Sequence, residues 1–249
     1  MILHTKVIGE GDPMVFLHTG LETSETDFRY QVEYFSKTYR VISPDLRGHG
    51  KSGGHISDTY FCDAAKDLQE TLLHLGVKQV HLAGCSLGAI VAIKFAQLFP
   101  ELVKTLTVSG MMVIKPANWL ELHESDVKFQ AKLLENKDAI LYYNQLHASD
   151  WKQFIYFGRQ EDWYPFEDMK AITHFQFPVL ILVGERNPWE TAAVEYYPRN
   201  NAFVHVAVIP FAAHLVHSEQ PEMYCLLVDQ FINNTTNLEE NSIRVEVES

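Results

Sequence analysis

The sequence predicts an α/β fold built on a doubly wound, mostly parallel sheet, and two observations predict it. Short, continuously apolar runs alternate with helical patterns along the chain. Midway, the run at 79–83 passes through Gly84-Cys85-Ser86-Leu87-Gly88 directly into a helical pattern at 89–99. Strands buried on both faces lose the polar alternation of half-exposed strands, as in parallel sheets covered by helices.

Taken in order, a strand at 2–8 opens the chain, followed by an apolar run at 14–17. A helical pattern at 27–36 leads to a strand at 39–42, and another at 59–75 leads to the strand at 80–83. After the helix at 89–99 comes a strand at 103–108; two more follow at 179–183 and 203–209, and a helix at 222–232 closes the alternation. From 112 to 175 the strand rhythm stops and aromatic residues gather, among them Trp119, Phe129, Tyr142, Trp151, Trp163 and Tyr164. After 232 the chain turns to Asn-Asn-Thr-Thr-Asn-Leu-Glu-Glu-Asn, which reads as a polar, disordered tail over 233–249.

A chain of 249 residues, 47% hydrophobic, suffices for one large domain with a substantial core. Its net charge of −12 argues against binding nucleic acid or an anionic membrane through bulk electrostatics. The three cysteines, Cys62, Cys85 and Cys225, show no metal-ligand spacing and are odd in number, so neither a metal site nor a disulfide framework is expected. The N-terminal residues lack the basic stretch and apolar core of a signal peptide, and no run approaches membrane-spanning length. The expectation is a cytoplasmic protein, monomer or homodimer, without cofactor.

The five residues 84–88 carry the chemistry. A serine between glycines at a strand-to-helix turn forms a nucleophile elbow, in which a strained backbone pushes the hydroxyl away from the sheet. Three further segments join it in order: Phe16-Leu17-His18-Thr19-Gly20-Leu21, then Asp45-Leu46-Arg47-Gly48-His49-Gly50-Lys51-Ser52, and, near the end, His214 followed at fixed spacing by Glu219 and Pro221. With these four landmarks the chain resembles the α/β-hydrolase family over about residues 12–232. The resemblance implies a hydrolase core at 1–111 and 176–232. It also implies a helical cap at 112–175, inserted between strands 6 and 7 in the family's count. A cap over the serine would exclude water and shape an apolar pocket.

For chemistry the resemblance implies Ser86 as nucleophile and His214 as the base that takes its proton. His217, three residues on, is the second candidate. The oxyanion formed on attack needs two backbone N–H donors. Leu87 is expected to supply one, and either Gly20 or Leu21 the other, with Leu21 preferred. His18 and His49 are read as loop braces, and Asp45, Arg47, Gly48 and Gly50 as structural.

The pattern breaks at the third triad position. The family reads G-x-x-D after the strand at 179–183, whereas this chain has Gly184-Glu185-Arg186-Asn187-Pro188. Asn187 therefore stands at the triad-acid position. An amide can orient a histidine but carries no charge to stabilise the imidazolium, and in a serine protease the equivalent exchange costs about 10⁴ in turnover. Three readings remain open. Glu190 reaches His214 as a surrogate acid; Asn187 orients the ring in a slow enzyme; or the protein has left hydrolysis and binds a small ligand or partner. The first leads to a serine hydrolase acting on a small ester, thioester or related acyl compound. Arg159 is the lone arginine of the cap segment, which favours an apolar acyl group over a multiply charged one.

Overall fold

The computed structural model describes residues 1–247, with side chains described through Thr235. Seven strands, β1 (Thr5–Ile8), β2 (Asp12–Leu17), β3 (Tyr39–Pro44), β4 (Val80–Cys85), β5 (Val103–Ser109), β6 (Val179–Gly184) and β7 (Val204–Ile209), form one sheet in the order β1-β3-β2-β4-β5-β6-β7. Only β1 runs antiparallel, against β3; all other pairings are parallel.

Each parallel crossover carries a helix, and the helices divide between the two faces. Helices α1 (Arg29–Phe35), α2 (Tyr60–His74) and α3 (Leu87–Leu98) follow β2, β3 and β4. Alternate strand residues select the face. Val15, Leu17 and Leu82 pack with α2 and α3 through Leu68, Leu72, Ile90 and Phe95. Met14, Phe16 and Ala83 turn the other way, against Phe35 of α1 and Tyr224, Cys225 and Val228 near the C-terminus. Strands β4 and β6 are buried at every position. The loops at their carboxyl ends, where ligands bind in doubly wound sheets, therefore leave fully buried strands.

Between β5 and β6 lie α4 (Trp119–Glu135), α5 (Lys137–Leu146), α6 (Lys152–Phe157) and α7 (Phe166–Met169), followed by a 3₁₀ turn at Lys170–His174. The sheet has seven strands, so this helical segment sits between its fifth and sixth, one lower than the family's count. Helices α8 (Ala193–Asn200), α9 (Val216–Glu219) and α10 (Pro221–Val247) complete the order. The stretch expected as a disordered tail from 233 is instead the continuation of α10 as far as Val247, and residues 248 and 249 lie outside the described residues. Polar composition removes the packing argument for a helix but does not forbid one, since residues such as Glu and Leu favour it. Among the described residues no helix is long and apolar enough to cross a membrane.

Candidate active site

Ser86 ends the turn after β4 with φ 54° and ψ −117°, a region a side-chain-bearing residue occupies only when its surroundings force it. Its N–H is held by the Ser109 carbonyl at 2.9 Å, which ties the turn to β5. The flanking glycines are required by contact. A Cβ on Gly84 would meet the Gly88 carbonyl, and one on Gly88 would strike the carbonyls of Leu17 and His18. The neighbouring Cys85 is fully buried, and burial pushes its thiol up, so it offers no competing thiolate.

His214 Nε2 lies 3.0 Å from Ser86 Oγ, and His214 Nδ1 lies 2.6 Å from Glu190 Oε1. Glu190 is 2% exposed and arrives from the turn after β6. The Asn187 amide donates to the same Glu190 oxygen at 2.6 Å and accepts the Trp189 N–H at 3.2 Å. At the triad-acid position, then, Asn187 makes no hydrogen bond to His214 and faces the carboxylate behind it. Burial disfavours the protonated ring of His214, but the bond and charge of Glu190 outweigh this and raise its pKa above the ordinary 6.5. Burial likewise raises the Glu190 carboxyl, opposed by His214.

The loops carrying Glu190 and His214 are braced against each other. Arg186 N–H donates to Ala212 O at 3.0 Å, and Glu185 Oε1 accepts the Phe211 N–H at 2.8 Å. Glu219 brackets the histidine from behind, accepting from Ala213 N at 2.9 Å and Leu215 N at 3.0 Å. That double bond to the turn is the physical content of the spacing between His214 and Glu219. His217 sits elsewhere: it is 1% exposed, bonded through Nε2 to Asp27 Oδ1 at 2.7 Å and stacked on Phe28. Burial opposes ionisation of Asp27, yet His217 and the Thr19 N–H hold its carboxyl at about 2.

The loop after β2 is pinned by histidines. His18 Nδ1 donates to Thr19 O at 2.8 Å, and its Nε2 accepts the Leu46 N–H at 2.9 Å, so the ring is neutral, in keeping with a pKa lowered by burial. Asp45 accepts from Ser24 N and Lys51 N, each at 2.8 Å. Leu21 takes a left-handed φ of 64°. The N–H groups of Leu87, Gly20 and Leu21 have no acceptor among the described residues, which leaves them available to an incoming oxyanion. His147, at the end of α5, accepts from Gly50 N at 2.9 Å and donates to Leu21 O at 3.1 Å. It thus joins two core loops to the helical segment, a role no motif in the sequence announces.

A cavity of about 490 Å³ opens over Ser86 and His214, between the sheet and the helices after β5. Trp119, Trp163 and Tyr164 from that helical segment and Trp189 from the β6 turn wall it. Trp151 and Phe157 pack inside the protein instead, and Phe129, Tyr142 and Tyr156 face solvent. No group of three or more His, Cys, Asp or Glu among the described residues is arranged to hold a metal ion.

Residues 12–148 match the family model described as alpha/beta hydrolase fold. The chain belongs to the α/β-hydrolase family. Among curated relatives, this chain is 37% identical over 100 residues to the (E)-2-((N-methylformamido)methylene)succinate hydrolase of Acinetobacter baylyi, covering 40% of this chain and 38% of that protein. It is 27% identical over 239 residues to the human serine hydrolase BPHL, covering 92% of this chain and 80% of the human one. The chain therefore spans under half the length of the first of these and most of the second. Among solved structures it resembles NosK from Streptomyces actuosus, with a TM-score of 0.79 and 26% identity over 91% of this chain and all of that one.

Proposed function

We propose that this chain is a serine hydrolase that cleaves a small ester, thioester or related acyl substrate through an acyl-enzyme at Ser86. The observation that carries the reading is the unbroken hydrogen-bond chain from Ser86 Oγ through His214 to the buried Glu190. In this reading His214 Nε2 takes the serine proton as Oγ attacks the carbonyl, and the Glu190 carboxylate stabilises the imidazolium that forms. Leu87 N–H and Leu21 N–H receive the oxyanion, at the N-terminus of α3. Collapse expels the alcohol or thiol, protonated by His214, and water then repeats the sequence to release the acid.

Asn187 takes a supporting part as the donor that fixes Glu190. The ligand-binding alternative rested on Asn187 replacing the acid, and the Glu190 carboxylate 2.6 Å from His214 favours the hydrolase reading over it. The helices between β5 and β6 act as the cap, and the three cysteines, all free thiols, fit a cytoplasmic setting. Steady-state hydrolysis of short-chain p-nitrophenyl esters by the wild type, Ser86→Ala and His214→Ala tests the reading. Activity abolished in both variants is expected; equal rates in folded Ser86→Ala overturn it.

A further inference from the structure

One face of α4 looks into the cavity, through Trp119, Leu122, Asp126 and Gln130. Their spacing of three, four and four residues is that of a single helical stripe. Asp126 is solvent-exposed on this stripe, so its carboxylate keeps its water while lining the cavity. Asp126 forms no hydrogen bond or ion pair within the described residues, and Glu190, the other cavity acid, is already engaged by His214 and Asn187. The cavity lining contains no lysine or arginine, and three of its walls are indoles, Trp119, Trp163 and Trp189.

We propose that the cavity selects acyl substrates bearing a protonated or quaternary amine, with the Asp126 carboxylate receiving the cation and the indole faces enclosing it. The chemistry is complementary on each count. A carboxylate accepts but does not donate at neutral pH, indole faces attract cations through their quadrupole, and a lining with two acids and neither lysine nor arginine disfavours anionic acyl groups. The net charge of −12 adds a long-range field that draws cations toward the molecule. Partial burial raises the Asp126 carboxyl from its ordinary value, opposed by His123 and His214, which places the group within electrostatic reach of the base. This refines the expectation of a plain apolar acyl group. Asp126 is a specificity residue, and its assignment rests on the hydrolase reading of Ser86 only for the catalytic readout.

The test uses p-nitrophenyl esters of one length: γ-trimethylammoniobutyrate, its neutral tert-butyl isostere and the hemiglutarate. The wild type is expected to favour the cationic ester over the neutral one by about tenfold in kcat/KM, with the anionic ester poorest. Asp126→Asn brings the cation-to-neutral ratio toward one, Asp126→Lys turns the preference toward the hemiglutarate, and rising salt erodes the wild-type ratio. No cation preference in the wild type, or one that survives in Asp126→Asn, overturns the proposal. An equal fall on all three esters does so too, since it makes Asp126 a general support of His214. Calorimetric binding of the cationic and neutral esters to Ser86→Ala, with and without Asp126→Asn, separates the two claims. If no ester is hydrolysed but Ser86→Ala still prefers the cation through Asp126, the hydrolase reading falls and the cation site stands; equal binding removes the site.

Discussion

Glu190→Gln separates charge from orientation at this site. In the wild type one Glu190 oxygen receives both the His214 Nδ1 proton and the Asn187 amide, while the other oxygen is buried without a partner. A glutamine therefore turns its carbonyl toward the two donors and keeps the His214 tautomer, losing only the charge. At an effective dielectric near 20, an imidazolium about 4 Å from that charge is stabilised by about 4 kcal/mol. With about 1.4 kcal/mol per decade of rate, kcat/KM for a p-nitrophenyl ester should fall by about 10³. The same variant should move the pH profile. His214 must be neutral to act, so activity rises with pH through its pKa; that midpoint lies above the ordinary 6.5 in the wild type and falls in Glu190→Gln, where burial is opposed only by the charges of Glu219 and Asp126. A Glu190→Gln enzyme within tenfold of wild type, with an unmoved midpoint, would refute the assignment of the charge to Glu190.

Asn187→Asp should not improve the enzyme, although it restores the family's residue. It sets a second carboxylate against Glu190 in place of a donor at 2.6 Å, so melting temperatures at pH 7 to 9 should fall below wild type, and a gain in kcat/KM would contradict this. Gly88→Ala drives a Cβ into the Leu17 and His18 carbonyls, and a loss of about 3 kcal/mol in urea unfolding is expected, whereas wild-type stability would show that the approach relaxes. The Asp27 carboxyl, held at about 2 against an ordinary 3.8, contributes about 2 kcal/mol that is complete above pH 4 and lost as the pH falls through 2. The stability gap between wild type and Asp27→Asn should close across that window, and a pH-independent gap would remove the ion pair with His217 as its cause.

Continuous apolar runs placed β4 and β6 in the sequence because strands covered on both faces admit little else. Helix α8 was invisible for the opposite reason: Pro198 lies inside it and reads as a breaker. Ser86 and His214 announce themselves because each sits on a turn whose neighbours are constrained, the glycines by close contact and Glu219 by its two backbone bonds. Asn187 misleads because sequence spacing registers position along the β6 turn but not direction, and that turn carries Glu190 back to His214. His147 follows α5 and Asp126 lies on α4, helices whose placement over the site depends on tertiary packing, which local pattern does not encode.

The account turns on Ser86 as an activated nucleophile, and fluorophosphonate labelling followed by peptide mass mapping tests this directly. One phosphonyl adduct, located on Ser86, absent from Ser86→Ala and formed much more slowly in Glu190→Gln, is the result expected. A folded wild type that takes no label, or takes it on another residue, would contradict the account.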